Sequence, residues 1–181
     1  MDKKIIMNLA IFDFDGTLVD TELPETGKQI WLEKTGKTWA HIGWWGKGDS
    51  LDTEVFDNKL IPSVKEAYDT VKKEKKTLTV MLTGRRLVLA KEVNKILKQH
   101  DLVFDEHHFN TGGATEVCKM RTIEKLLKNY PDVEEISIWE DRAAHVDIFH
   151  DFLVKKVEDG RIKNFTIHYV PSQRHEDKTH N

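Results

Sequence analysis

The stretch MNLAIFDFDGT, residues 7–17, decides the fold of this chain. It begins as an apolar run that stops at turn residues, which is typical of a strand buried on both faces. Asp13 and Asp15 stand two residues apart at its end, and Gly16 and Thr17 follow. Because ligands of open α/β sheets bind beyond the carboxyl ends of the strands, this stretch also predicts where a functional site lies.

Strand-like and helix-like segments alternate along the rest of the chain. Apolar and β-branched runs predict four more strands, at residues 77–83, 102–109, 135–140 and 164–170. Apolar residues at helical spacing predict four helices. The stripes are Val64, Ala67, Tyr68 and Val71; Leu89, Val93, Ile96 and Leu97; Met120, Ile123, Leu126 and Leu127; and Val146, Phe149, Leu153 and Val157. This alternation predicts an α/β domain with a five-stranded, mostly parallel sheet flanked by helices.

Residues 19–61 interrupt the alternation and predict a small flap instead of a large cap domain. They hold the pair Trp44-Trp45, which could either stack on a nucleic-acid base or pack the flap. We expect one domain over residues 1–172 that includes this flap. The last residues, 173–181, carry no apolar side chains, so we expect a flexible tail there.

The composition narrows the class of protein. Of the 181 residues, 39% are hydrophobic and 33% are charged, which is typical of a soluble globular domain. No apolar run approaches the ~20 residues of a membrane helix, so we expect no membrane association. The single cysteine, Cys118, fits a reducing compartment, and we expect a cytoplasmic location. A net charge of -3 argues against a strongly basic coat for nucleic acid but leaves a local basic groove open.

Polar residues gather at the ends of three predicted strands. The groups are Asp13 and Asp15; Thr83, Gly84 and Arg85; and Glu140, Asp141 and Arg142. Asp13 and Asp15 would repel each other, so a divalent cation such as Mg²⁺ is a natural partner. Asp141 would add a further oxygen ligand from a neighbouring strand.

Other residues at these strand ends suit a bound phosphate. Gly16 lets the backbone approach an oxyanion, and the hydroxyls of Thr17 and Thr83 can donate to phosphate oxygens. Lys119, in the first turn of a predicted helix, and Arg85 supply positive charge. Carboxylates, a cation, hydroxyls and a lysine together favour phosphoryl transfer, in which an aspartate can be the covalent nucleophile.

The order DFDGT, TGR, lone lysine and acidic pair resembles the haloacid dehalogenase (HAD) superfamily of phosphatases over residues 6–170. The resemblance implies a Rossmann-like HAD fold and a Mg²⁺ cofactor. It makes Asp13 the nucleophile that forms an aspartyl-phosphate and Asp15 the acid and base. Thr83 and Lys119 would bind the transferring phosphoryl group. Asp13, Asp15 through its backbone carbonyl, and Asp141 would hold the metal.

Finer features resemble the phosphatase half of bacteriophage polynucleotide kinase–phosphatase, in which an arginine follows the second motif and another follows the acidic pair. By this resemblance Arg85 binds the substrate phosphate. Arg142, Gly84 and Thr17, which also lie at the predicted strand ends, are further candidates for binding it. Glu140 stands where many relatives have Asp or Gly, and it is a further candidate metal ligand.

The Trp44-Trp45 pair before Ser50-Leu51 (residues 44–51), TEVCK (residues 115–119) and EDRAAH (residues 140–145) are also similar to the Swiss army knife RNA-repair branch of the superfamily. This implies a nucleotide or a polynucleotide phosphate end, RNA or DNA, as substrate. The chain lacks a Gly-x-x-x-x-Gly-Lys-Ser/Thr loop, so a repair pathway would need kinase and ligase partners. Two alternatives stay open, a small-metabolite (sugar phosphate) phosphatase and a catalytically inactive HAD-fold binding protein.

Overall fold

A computed structural model describes residues 4–171, so the predicted tail over residues 173–181 lies outside the described residues. The strands are β1 (Asn8–Phe12), β2 (Val19–Asp20), β3 (Lys59–Leu60), β4 (Thr77–Arg86), β5 (Glu106–Asn110), β6 (Glu135–Glu140) and β7 (Asn164–Tyr169). Five of them form one sheet in the order β5-β4-β1-β6-β7, and all four pairings are parallel. The predicted α/β fold is thereby confirmed.

Helices cover both faces of this sheet. They are α2 (Pro62–Lys72), α3 (Ala90–Gln99), α4 (Thr115–Asn129) and α5 (Ala143–Glu158), whereas α1 (Pro24–Thr35) lies between β2 and β3. Apolar side chains of α2 and α3 pack with Ala10 and Phe12 of β1, whereas those of α4 and α5 pack with Leu9 and Ile11. Successive side chains of a strand point to opposite faces, which is why β1 is apolar throughout. In residues 4–171 no helix is long and apolar enough to cross a membrane.

Strands β4 and β5 each have one end that differs by three or four residues from its predicted position. Residues 102–105 precede β5 as a connection in which Leu102 and Phe104 are buried and Asp105 accepts hydrogen bonds from the backbone N–H and hydroxyl of Thr79. Strand β4 continues through Arg86, and its register with β5 shifts between Leu82 and Arg86. Such irregularities redirect side chains next to functional sites.

The first turn of α4 lies directly against this irregular end of β4. A Cβ atom on Gly84 would come within 2.5 Å of the Thr115 side chain, so only glycine fits there. This close approach brings α4, which carries Lys119, to the carboxyl edge of the sheet.

The flap segment, residues 19–61, starts and ends in the antiparallel pair β2–β3. Between these strands lie α1 and a short 3-10 helix (Gly48–Leu51), and α1 contributes to a small apolar cluster. Its buried members are Trp44, Val55 and Phe56, with Ile30, Trp31 and Trp39 packed around them. Trp44 is 3% exposed and lies so close to Gly27 that a Cβ there would be 2.2 Å from the indole. Trp44 therefore packs the flap, whereas Trp45 is 36% exposed.

Candidate active site

The carboxyl ends of β1, β4 and β6 meet at one edge of the sheet because these strands are adjacent and parallel. Phe12 of β1 pairs with Met81 of β4 and Trp139 of β6, so the residues after them converge. The following polar side chains are buried there: Asp13, Asp15, Thr17, Thr83, Arg85, Lys119, Glu140 and Asp141. Most of the residues singled out from the sequence thus share one site.

Asp13 occupies the centre of this site. Lys119 Nζ donates to Asp13 Oδ1 at 2.8 Å and to Glu140 Oε2 at 3.0 Å. On the other side, Thr17 Oγ1 lies 3.1 Å from Asp13 Oδ2 and 3.4 Å from Asp141 Oδ1. One lysine and one hydroxyl therefore hold the carboxylate of Asp13 in a fixed orientation.

The charges in this site shift the pKa values of its members. Burial raises the pKa of Asp13, but the charge and hydrogen bond of Lys119 outweigh burial and hold that pKa below its ordinary value. Burial favours the neutral form of Lys119, yet the charges of Asp13 and Glu140 prevail and raise its pKa. Burial, followed by the charge of Asp13, raises the pKa of Glu140. At neutral pH Asp13 is ionised, as a nucleophile must be.

Three carboxylates of this site could hold a metal ion. Asp13, Glu140 and Asp141 each offer an oxygen, and these oxygens all lie within 4.8 Å of one another. Buried carboxylates so close together repel, and Lys119 supplies a single positive charge against them. Hard oxygen ligands of this kind fit Mg²⁺.

The candidate ligands are not equivalent. Both oxygens of Glu140 are engaged, because Oε2 accepts from Lys119 and Oε1 accepts from the backbone N–H of Arg142 at 3.1 Å. The carboxylate of Asp15 lies outside the cluster and faces Arg85. Both oxygens of Asp13 also accept hydrogen bonds, so this feature alone does not rank Asp13 above Glu140. Asp13 and Asp141 stay the candidates for direct ligation by a side chain because the family resemblance implies them.

Arg85 differs from the expectation that it faces the substrate phosphate. Its Nε and Nη2 donate to the Asp15 carboxylate, at 2.7–3.1 Å. Its Nη1 donates to the backbone carbonyl of Trp45 at 2.7 Å and to Ser50 Oγ at 2.8 Å. All three side-chain nitrogens of this buried arginine thus bind protein atoms.

The remaining predicted residues take different positions. Thr83 Oγ1 accepts the backbone N–H of Arg85 at 3.0 Å, and a hydroxyl that accepts in this way still has its own proton to donate. Gly84 packs against Thr115, as described above. Arg142 is exposed directly before α5, where its side chain can reach a ligand from the solvent side.

Sequence reasoning gave no role to three further residues. Thr21 Oγ1 donates to Asp15 Oδ1 at 2.7 Å, and Ser50 reaches the site from the flap through Arg85. The buried ring of His145 lies 3.9 Å from Glu140 Oε1. Ser50 and His145 stand inside stretches that resemble the RNA-repair branch, which was the only available signal. Thr21 had none.

Lys119→Ala should destabilise the protein, because it leaves buried carboxylates without their cation. Breaking a buried ion pair in this way costs about 3–5 kcal/mol in free energy of unfolding. Urea denaturation in metal-free buffer measures this change. Lys125→Ala, at an exposed position of the same helix, is the matched control and should change little. Equal stability of the two variants would contradict the network.

Comparison with known families gives the class of the protein. Residues 26–180 match the family described as "HAD domain family 1 in Swiss Army Knife RNA repair proteins", which is well over half of the chain. The fold and the site define a HAD-type domain. The chain belongs to this HAD domain family of Swiss Army Knife RNA repair proteins, which confirms the resemblance stated above. The matched residues begin after Asp13 and Asp15, so the assignment of these two rests on the sequence motif and on the geometry.

Individual relatives are more distant. An uncharacterized protein of Saccharomyces cerevisiae, YMR265C, is 28% identical over 81% of this chain and 37% of the yeast protein. The chain thus spans little more than a third of that relative.

Solved structures share the fold. A chain of the Pnkp1/Rnl/Hen1 complex superposes with a TM-score of 0.57 at 15% identity, over 91% of this chain and 46% of the other. The HAD domain of the Legionella pneumophila effector Lem4 superposes with a TM-score of 0.56 at 15% identity, over 95% of this chain and 90% of the Lem4 chain. The HAD-like hydrolase SP0104 of Streptococcus pneumoniae superposes with a TM-score of 0.50 at 14% identity, over 88% of this chain and 93% of the SP0104 chain. At these identities the likeness concerns the fold alone.

Proposed function

We propose that this protein is a Mg²⁺-dependent phosphomonoesterase that acts through an aspartyl-phosphate on Asp13. The observation that carries the proposal is the buried carboxylate of Asp13, held by Lys119 and Thr17 within the acidic cluster. A carboxylate that is oriented and desolvated in this way is suited to nucleophilic attack. A Mg²⁺ ion held by Asp13 and Asp141 would neutralise negative charge on the transferring phosphoryl group.

The reaction has two steps at the chain's own residues. An oxygen of Asp13 attacks phosphorus, the bond to the leaving oxygen breaks, and Asp15, protonated for this step, gives that oxygen the proton that it regains in the second step. A water molecule then attacks the aspartyl-phosphate, Asp15 takes its proton, and inorganic phosphate leaves as Asp13 is restored. Lys119 and the hydroxyl of Thr83 bind the oxygens of the phosphoryl group as charge redistributes in each step.

The proposed substrates are phosphorylated nucleotides or polynucleotide ends. Membership of a family named for RNA repair proteins supports this choice, as does the fold shared with a chain of the Pnkp1/Rnl/Hen1 RNA repair complex. Arg86, Arg142 and Trp45 are exposed and chemically suited to backbone phosphates and bases. Repair partners that supply kinase and ligase activities belong to the same proposal.

A substrate panel tests this function. Phosphate release is measured from 3′- and 5′-phosphorylated RNA and DNA oligonucleotides, mononucleotides and sugar phosphates, with protein carrying Asp13→Asn as the control for contaminating phosphatases. We expect kcat/KM for at least one nucleic-acid end to exceed that for every sugar phosphate by at least about tenfold. A preference for sugar phosphates would replace the nucleic-acid proposal with the metabolite phosphatase. Release from no substrate would favour the inactive binding protein.

Trp45→Ala should raise KM for an oligonucleotide by about 5–100-fold, the size of one base–aromatic stacking interaction, and leave KM for an aryl phosphate nearly unchanged. The backbone carbonyl that Arg85 binds is retained in this variant. Trp44→Phe, which alters only the packed tryptophan, serves as the control and should affect both substrates alike. Equal effects of Trp45→Ala on the two substrates would show that its indole does not contact a base.

A further inference from the structure

We propose that Arg85 is a strut between the flap and Asp15, a positioning residue that does not bind the substrate phosphate. The proposal rests on the proposed function, because Asp15 is the residue through which Arg85 would act. Arg85 is 3% exposed and stands where the register of β4 shifts. The irregular backbone there aims its side chain across the site at Asp15 and the flap.

At the Asp15 end, the contact fixes an orientation. Arg85 Nε lies 3.1 Å and 3.0 Å from the two carboxylate oxygens of Asp15, and Nη2 lies 2.7 Å from Oδ1. Thr21, at the base of the flap segment, donates to the same Oδ1. Because a guanidinium is a rigid planar fork, several bonds to one carboxylate define both its position and its plane. Asp15 is therefore held from β4 and from the flap segment at once.

At the flap end, Nη1 binds the carbonyl of Trp45 and the hydroxyl of Ser50, and the Trp45 indole lies 5.0 Å from the guanidinium carbon. Ser50 is fully buried and donates to the carbonyl of Lys47 at 2.6 Å, which ties it to the flap backbone. If the flap moved away, a buried guanidinium would lose two hydrogen bonds at considerable cost. Movement of the flap would thus disturb the same arginine that orients Asp15.

This arrangement conflicts with a phosphate-binding role. To reach a substrate phosphate, Arg85 would have to give up Asp15, Trp45 or Ser50. Lys119 already supplies a cation beside Asp13, where the phosphoryl group would sit. We therefore expect Arg85 to affect turnover through Asp15, and we expect the affinity for phosphate to depend on Lys119 and on the hydroxyls of Thr17 and Thr83.

A double-mutant cycle distinguishes the two roles. On an aryl phosphate, Arg85→Met should lower kcat by roughly 100-fold in the wild-type background but by less than about 3-fold in the Asp15→Asn background. The inhibition constant of inorganic phosphate should change by less than about 2-fold, whereas Lys119→Met raises it by at least about tenfold. The proposal would be overturned if Arg85→Met lowered kcat by the same factor in both backgrounds. A large rise in the inhibition constant of inorganic phosphate for Arg85→Met would overturn it as well.

Ser50→Ala keeps the ion pair with Asp15 and removes one flap contact, so it serves if Arg85→Met does not fold. It should lower kcat by about 3–10-fold, again with the phosphate inhibition constant unchanged and with no further loss in the Asp15→Asn background. If Ser50→Ala lowered kcat as much in the Asp15→Asn background as in the wild-type background, coupling through Arg85 would be contradicted.

Hydrogen exchange tests the strut without catalysis, which separates it from the proposed function. Asp15→Ala removes the anchor of Arg85 and should accelerate amide exchange in residues 45–51 by at least about tenfold, while α5 stays protected. If the wild-type protein releases no phosphate but this acceleration occurs, the strut stands and the proposed function fails. Unchanged exchange in residues 45–51 would refute the strut whatever the activity.

Discussion

Asp13→Asn should lower phosphate release by at least about four orders of magnitude and leave the protein folded. An amide oxygen is too weak a nucleophile to form the acyl phosphate, so the first bond-forming step is lost. The amide is nearly isosteric with the carboxylate, its oxygen can still accept from Lys119, and its NH2 group can donate to the hydroxyl of Thr17. Steady-state release of inorganic phosphate from the best substrate of the panel measures the effect.

Asp20→Asn is the matched control, because Asp20 is an exposed aspartate at the end of β2. It should leave kcat/KM within about 2-fold of the wild-type value, as expected for a surface substitution. A folded Asp13→Asn protein that retains near-wild-type turnover would show that Asp13 is not the nucleophile.

Removal of divalent metal should abolish activity, and Mg²⁺ should restore it. The reason is electrostatic, since Asp13, Glu140 and Asp141 crowd their charges where an anionic substrate must also bind. Activity in excess EDTA, and its recovery on titration with Mg²⁺, measures the requirement. Mg²⁺ should also raise the melting temperature of the wild-type protein, because a ligand that binds only the native state stabilises it.

Variants separate the candidate ligands. Asp141→Ala should raise the Mg²⁺ concentration for half-maximal activity by at least about tenfold and remove the thermal shift. Glu140→Ala should have a smaller effect on Mg²⁺, because the oxygens of Glu140 bind Lys119 and a backbone N–H. Glu135→Ala, at the exposed start of β6, is the control for lost negative charge. Full activity in EDTA would refute the metal site.

Much of the fold follows from the sequence because its strands are buried on both faces. Strand β6 has the predicted bounds, and the stripe of α4 packs as expected. Leu102 and Phe104 are apolar and buried, as they would be in a strand, but they lie in a connection, where Asp105 binds Thr79. Apolar composition records burial and does not distinguish these two cases.

The composition of the site was also predictable, because motif residues at adjacent parallel strands must meet. The partners of individual side chains were not. Arg85 follows a glycine in a motif, but its direction depends on the register shift of β4 and on Ser50, which approaches from the flap. The two tryptophans are neighbours in sequence, yet one is buried against Gly27 and the other is partly exposed. Both outcomes arise from tertiary contacts that no local pattern encodes.

Trapping of the covalent intermediate tests the proposed chemistry most directly. The protein is mixed with Mg²⁺ and its best substrate, quenched in acid within the first turnovers, and digested for mass spectrometry. The proposal predicts that the peptide containing residues 7–17 gains the mass of one phosphoryl group, that the gain maps to Asp13, and that it is absent from Asp13→Asn. Phosphate release without any phosphorylated peptide, or with phosphorylation at another residue, would contradict it.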